Sequence, residues 1–310
     1  MNIIFGPIHS RRFGKSLGID LSPAQKQCNY DCVYCELDPA RTVDHYEEVL
    51  PVEHIVSAVQ EALLLHGDID VLTITANGEP TLYPHLLTLV QEINKIKKET
   101  KTLILSNGST ISDPQIQEAL LLIDTVKLSL DCATAKCLKR IDRMHEGITI
   151  EDIQRGMLDF RAQSSRPLII EILIVEGIND KESEIAALNA FLLELAPDRI
   201  DLGTIDRPPA YAVKPVSYEK LLELSRRFDP SLEVHITQRK GATATPSAYS
   251  DEEIIATLAK RPLTEEDIAI LFDIQSQQRL QQLLEEGKII QRENNGVIFY
   301  KIPSKILKNH

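Results

Sequence analysis

Residues 70–108 read DVLTITANGEPTLYPHLLTLVQEINKIKKETKTLILSNG. The opening DVLTITA (70–76) is a continuous apolar run rich in β-branched residues, the pattern of a strand buried on both faces. Asn77-Gly78 breaks that run, and residues 84–97 then carry apolar side chains at helical spacing. TLILS (102–106) is a second buried run, closed by Asn107-Gly108. Strand, turn, helix and strand in that order make a βαβ unit, in which the two strands run parallel and the helix crosses over one face.

The same alternation extends in both directions. Upstream, GIDL (18–21) is a short strand, and a helix over 51–66 places Ile55, Val56, Val59, Ala62 and Leu63 on one side. Downstream come helix 113–121, strand 125–130, helix 150–162, strand 168–175, helix 181–195, strand 199–205 and helix 217–227. LEVHIT (232–237) adds an edge strand. Six such units predict an α/β fold, a partial (β/α)6 TIM-like barrel rather than the full eight-fold one. The barrel domain spans residues 1–240.

Residues 241–249 have the small, polar composition of a linker. Beyond them the pattern changes. Ser250 with Glu253 reads as a capping box for a helix over 251–259, and Thr264 with Asp267 as another for 265–272. A third helix covers 275–286, and Asn294-Asn295-Gly296 turns a hairpin. Three helices and a hairpin predict a small winged-helix-like domain over 250–310. Arg279 is the single basic residue of the third helix, and residues 249–310 hold 10 acidic and 8 basic side chains. Phosphate neutralisation needs several cations on one face, so this module suits protein or peptide docking at least as well as DNA.

The chain has 310 residues, 43% hydrophobic and 26% charged, which excludes collagen-like, disordered and disulfide-scaffold classes. No apolar run reaches the roughly 18 residues a membrane helix needs, and the N-terminus lacks the charge order of a secretory signal. A cytoplasmic protein is expected. A net charge of −12, no Trp and 5% aromatics argue against broad steering onto nucleic acid. Five cysteines in such a compartment read as metal-binding or reactive thiols rather than bridges.

Cys28, Cys32 and Cys35 stand in CNYDCVYC, a CxxxCxxC spacing on the loop after the first strand. Closely spaced thiolates on a flexible loop converge on one metal centre: zinc, which wants a fourth ligand, or a [4Fe–4S] cluster with one iron left open. With Tyr34 just before the last cysteine, the motif resembles the signature of the radical S-adenosylmethionine (SAM) superfamily. NGEPTLYP (77–84), SNG (106–108), SLD (129–131) and EGIND (176–180) fall at successive strand ends, as that resemblance requires. With SRRFGKSLGIDL and DRPP, the set resembles a wyosine-type (tRNA imidazoguanine) synthase-like subgroup over about residues 5–238.

The resemblance implies that Cys28, Cys32 and Cys35 ligate a [4Fe–4S] cluster whose open iron chelates SAM. One electron from a donor such as flavodoxin or ferredoxin then cleaves SAM to a 5′-deoxyadenosyl radical, which abstracts a substrate hydrogen. It also implies that Gly78 and Glu79 receive the methionyl ammonium, that Tyr34 and Asn179 lie near adenine, and that Ser129 and Asp131 lie near ribose. Asn107 joins them in the SAM set. The substrate is a protein, a peptide or tRNA. A DNA-binding redox sensor built on an Fe–S cluster is the alternative, and it would need none of the strand-end motifs.

The remaining candidates have two readings each. Cys132 and Cys137 are buried fillers, or they serve a second cluster, a redox pair or a hydrogen-atom donor; two thiols fall short of a Cys₄ set. Arg11, Arg12 and Lys15 contact the SAM carboxylate or a substrate phosphate, or form a solvated segment. Arg143 and Arg207 face substrate or form ion pairs.

Overall fold

The computed structural model describes residues 3–10, 13–236, 246, 248–260, 262–294 and 297–303. Arg11, Arg12, most of the 241–249 linker and the Asn295-Gly296 part of the hairpin turn lie outside them.

One sheet of eight strands forms the first domain, in plain sequence order: β1 (Ile4–Ser10), β2 (Gly14–Asp20), β3 (Val71–Thr75), β4 (Lys101–Ser106), β5 (Thr125–Ser129), β6 (Leu168–Ile174), β7 (Arg199–Thr204) and β8 (Val234–Ile236). From β2 onward every pairing is parallel; β1 alone runs antiparallel to its neighbour. The crossovers carry α1 (Val52–His66), α2 (Leu86–Ile96), α3 (Pro114–Leu121), α4 (Ala135–Ile141), α5 (Ile150–Gln163), α6 (Glu182–Leu195) and α7 (Tyr218–Ser225). This is the expected α/β architecture with its parallel strands and outer helices.

Strand alternation divides the two faces. Ile170, Ile172 and Ile174 of β6 are wholly buried in the apolar core, as are Ile200 and Leu202 of β7. The other face of β5, β6 and β7 carries Lys127, Glu171 and Asp201, with Lys127 Nζ 2.5 Å from Glu171 Oε1 and 3.2 Å from Asp201 Oδ2. Two elements escape the sequence pattern. Gly6-Pro7 interrupts β1, whose pairing shifts register between Phe5 and Ile8. α4 is seven residues long, too short for a periodic stripe, and is capped by Thr134 Oγ1 accepting from Cys137 N at 3.3 Å.

The C-terminal part contains α8 (Asp251–Lys260), β9 (Leu263–Thr264), α9 (Glu265–Leu271), α10 (Ile274–Glu285), β10 (Ile290–Asn294) and β11 (Val297–Lys301). Both capping boxes form: Ser250 with Glu253, and Thr264 with Asp267. Its core closes around Ile254, Leu258, Phe272 and Leu280, and it includes Ile8 of β1. The Tyr249 hydroxyl donates to the Pro7 carbonyl, so Tyr249 belongs to this core rather than to the linker. Among the described residues no helix is long and apolar enough to cross a membrane.

Candidate active site

The C-terminal ends of β3, β4, β5 and β6 meet the long β2–α1 loop, which carries Cys28, Cys32 and Cys35. That loop is held by backbone hydrogen bonds to three neighbours. Gln27 N donates to Asn77 O at 2.9 Å and Glu79 N to Gln27 O at 3.0 Å, zipping the loop onto the turn after β3. Asp31 N and Val33 N donate to Asp142 O and Ile141 O at 3.0 and 2.8 Å, so the end of α4 takes up two loop donors. Ala210 N donates to Cys35 O at 2.9 Å from the loop after β7.

All five cysteines are described, and they divide cleanly. Cys132 and Cys137 are joined in a disulfide with Cα atoms 5.7 Å apart, and both are buried. This departs from the reading of the five cysteines as metal-binding or reactive thiols rather than bridges, and of the readings open for Cys132 and Cys137 it fits the redox pair: Asp131 ends the strand region and α4 turns straight back, bringing the two within bridging range. Cys28, Cys32 and Cys35 are free. Burial pushes the Cys28 thiol up to about 12, with Glu79 adding to it, and raises Cys32 and Cys35 as well. Such thiols become thiolates when a metal supplies the opposing charge. Among the described residues no three His, Cys, Asp or Glu side chains converge as one ion would require. A cluster makes no such demand, because each thiolate takes a different iron. Three free thiols with no fourth match a cluster with one iron left to another ligand.

Donors already point at these sulfurs. Tyr30 N lies 3.4 Å and Asn107 Nδ2 3.9 Å from Cys28 Sγ, and Lys26 Nζ lies 3.6 Å from Cys35 Sγ.

Tyr34, Asn107, Ser129 and Asp131 line one narrow cavity, with Tyr30 and Asp142 completing its polar wall. Tyr34 Oη donates to Asp131 Oδ2 at 2.5 Å, and Leu173 N donates to Asp131 Oδ1 at 2.7 Å. Burial lifts the Asp131 carboxyl to about 7, and burial beside Asp131 lifts that of Asp142 well above the carboxylate range. Two facing carboxyls out of water hold a proton between them. Asp142 escaped the sequence reading because nothing in KRIDRMHEG marks it apart from its neighbours.

Gly78 abuts the cysteine loop with φ +137°, where a Cβ would sit 1.9 Å from Gln27 O. Glu79 is 1% exposed. Its Oε1 accepts from Thr81 N, Thr81 Oγ1 and Ser106 Oγ at 2.9, 2.6 and 2.7 Å, and its Oε2 from Asn107 N at 2.7 Å. In this structure the Glu79 carboxylate fixes the β3 turn against the end of β4, so of the backbone and carboxylate acceptors expected of Gly78 and Glu79 the backbone groups are the ones not already committed to these four bonds. Asn179 is held by protein partners as well. Its Oδ1 accepts from Val175 N at 2.8 Å, and its Nδ2 donates to Asp131 O and Leu173 O, each at 2.9 Å. A wholly buried amide so engaged supports Asp131 from beneath.

The described basic candidates, Lys15, Arg143 and Arg207, resolve into protein contacts; Arg11 and Arg12 lie outside the described residues. Lys15 sits at the opposite end of the sheet, where its N–H donates to Asp70 Oδ2 and its Nζ to His66 O, capping α1. Arg207 Nη1 contacts both Glu36 oxygens at 2.7 and 2.8 Å. Arg143 lies 4.3 Å above the Tyr211 ring and 3.6 Å from Asp31, while Tyr211 Oη donates to Asp31. The loop after β7 is thus strapped across the cysteine loop at Asp31, Cys35 and Glu36. Gln27, also missed, is a hub: its side chain donates to Ser22 Oγ and Glu48 O and accepts from Glu47 N and Glu48 N.

This arrangement of parallel sheet, three-thiol loop and glycine turn defines a class of protein, and comparison agrees with it: residues 23–188 match the family model for the radical SAM superfamily, and the chain belongs to that superfamily. It is an enzyme of SAM-dependent radical chemistry. A UPF0026 protein from Helicobacter pylori strain J99 is 42% identical over 300 residues, covering 96% of this chain and 97% of that protein. Among solved structures, a radical SAM methyltransferase from Sphaerobacter thermophilus superposes with TM-score 0.56 at 14% identity, over 73% of this chain and 67% of that one. SuiB from Streptococcus suis, solved bound to S-adenosylmethionine, gives 0.53 at 18%, over 72% and 51%.

Proposed function

We propose that Cys28, Cys32 and Cys35 hold a [4Fe–4S] cluster that leaves one iron for SAM, and that the chain acts on a protein or peptide substrate. The observation that carries this reading is the division of the cysteines: three free thiols on one loop and the other two consumed by each other. When bound, the cluster and SAM together supply reductive cleavage to a 5′-deoxyadenosyl radical that abstracts a substrate hydrogen.

The chain's own residues position and shield. Gly78 lets the β3 turn approach the cysteine loop closely enough for its backbone to present polar groups beside Cys28. Ser129, Asp131, Asn107 and Tyr34 form a polar wall that would face the nucleoside part of SAM; the cavity they line has room for about one water, so SAM would enter as these side chains move apart. Asn179 and Glu79 hold that wall from behind. The Arg207–Glu36 pair and the Tyr211–Asp31 hydrogen bond hold the β7 loop against the cysteine loop, where limiting water would protect a radical.

A protein or peptide substrate is favoured over tRNA by the −12 charge and by the absence of a second free cysteine set. The DNA-binding sensor finds no support in α10, where Arg279 Nη1 is bound to Tyr249 O at 2.6 Å. The test is anaerobic reconstitution with iron and sulfide, followed by SAM and dithionite, with 5′-deoxyadenosine quantified. Wild type is expected to form the nucleoside, and a Cys28, Cys32, Cys35→Ala triple variant is expected to form none. Wild type with a full cluster that neither binds SAM nor yields the nucleoside would sink the reading.

A further inference from the structure

Lys26 lies two residues before Cys28, yet its side chain reaches the far end of the motif. Its Nζ donates to Cys35 Sγ at 3.6 Å and to Asp38 O at 3.2 Å. The second bond matters, because it anchors the ammonium to the backbone of the loop that carries Cys35. The other ionisable groups around the thiols are acidic: Glu79 acts on Cys28, the proton-sharing Asp131 and Asp142 pair lies beside Cys32, and Glu36 acts on Cys35. Glu36 is itself neutralised by Arg207.

A cluster gains one negative charge when it takes up an electron. A cation donating to a ligand sulfur stabilises that more negative state, so charge and hydrogen bonds at the sulfurs shift the potential upward. The surrounding carboxylates act the other way, and in a partly desolvated site each such charge is felt strongly.

We propose that Lys26 sets the reduction potential of the cluster, raising it through its ammonium contact with the Cys35 sulfur; this rests on the cluster reading above. The step concerned is the uptake of one electron from an external one-electron donor, with no bond made or broken. Lys26 acts through Cys35 and touches no substrate, so it is a tuning residue.

The experiment is an anaerobic potentiometric titration of the reconstituted full chain, without SAM, followed by electron paramagnetic resonance of the reduced cluster. Wild type, Lys26→Met, Lys26→Gln and Lys26→Arg are compared, with iron and sulfide counted in each. Lys26→Met is expected to lower the reduced-to-oxidised ratio at the wild-type midpoint about tenfold, a shift of about 59 mV for a one-electron couple. Lys26→Arg, which keeps the charge, is expected to stay close to wild type. Lys26→Gln keeps a donor and drops the charge, so it reads the charge effect even if the Met variant assembles poorly. Either neutral variant with full iron content and a wild-type midpoint overturns the proposal alone. Wild type that takes up no iron overturns the cluster reading and this proposal with it.

Discussion

The carbonyl oxygen of Gln27 lies 1.9 Å from the point where Gly78 would carry a β-carbon, so the cysteine loop and the turn after β3 meet backbone to backbone. Gln27 N and O both bond to that turn, at Asn77 O and Glu79 N. The residue before the first cysteine is thereby fixed to the strand end that carries the glycine-glutamate pair.

Gly78→Ala should break this contact in two ways. The φ of +137° is one that side chains rarely adopt, at about 1–3 kcal/mol, and the added carbon has no room beside a peptide carbonyl. We expect a lower melting temperature for the metal-free chain and the loss of most iron uptake on reconstitution. An alanine variant with wild-type iron content would show that the two loops hold Cys28 independently.

Asn179→Ala removes three buried hydrogen bonds at once and strands Val175 N, Asp131 O and Leu173 O. Each buried group left unpaired costs about 1–3 kcal/mol, so the urea midpoint should fall by the equivalent of at least about 2 kcal/mol. A loss below about 0.5 kcal/mol would mean that water replaces the amide, and that Asn179 does not support Asp131.

Much of this fold was legible because its strands are continuous apolar runs and its helices carry clear stripes. DVLTITA and LIIEILIV announce themselves as buried strands, and β3 and β6 fall within them. β1 did not, because Gly6 and Pro7 mimic a turn inside a strand. The site was legible where a residue's chemistry is local: three cysteines at fixed spacing, a glycine in a turn. It was not where a side chain's role depends on which loops meet. That Glu79 also ties the β3 turn to Ser106 and Asn107 at the end of β4 depends on how the two strand ends meet, which no local pattern shows. Asp142 and Gln27 are ordinary polar residues in sequence, and only the approach of α4 and the β3 turn to the cysteine loop gives them work.

Asp124 offers a pH test away from the site. Burial opposes its ionisation, but Lys97 Nζ at 2.5 Å, Thr102 N at 2.9 Å and Thr102 Oγ1 at 3.0 Å outweigh that and hold the carboxyl at about 2. A folded-state value below the unfolded one, about 3.9, stabilises the fold above pH 4 and loses that contribution as pH falls toward 2. With part of the shift discounted for solvent screening, Asp124→Asn should cost about 1 kcal/mol at pH 7. Urea titrations of the metal-free chain should show the gap closing between pH 4 and pH 2; a gap that persists at pH 2 would place the effect in packing instead.

The two sets of cysteines should separate cleanly by metal content. Cys28→Ala, Cys32→Ala or Cys35→Ala is expected to lose the cluster, since each removes one of three protein thiolates. Cys132→Ala with Cys137→Ala removes a bridge whose partners are five residues apart, worth about 2 kcal/mol by the chain-entropy estimate for so short a loop. That double variant should unfold at lower urea and still bind a full complement of iron. Wild type treated with a dithiol reductant should show the same loss if the reductant reaches the buried bond. The bridge sits at the start of α4, and the end of α4 accepts the Asp31 and Val33 N–H groups of the cysteine loop. If the double variant loses iron as well as stability, the helix cannot hold the loop without its staple, and the bridge belongs to the metal site's support rather than to the fold alone.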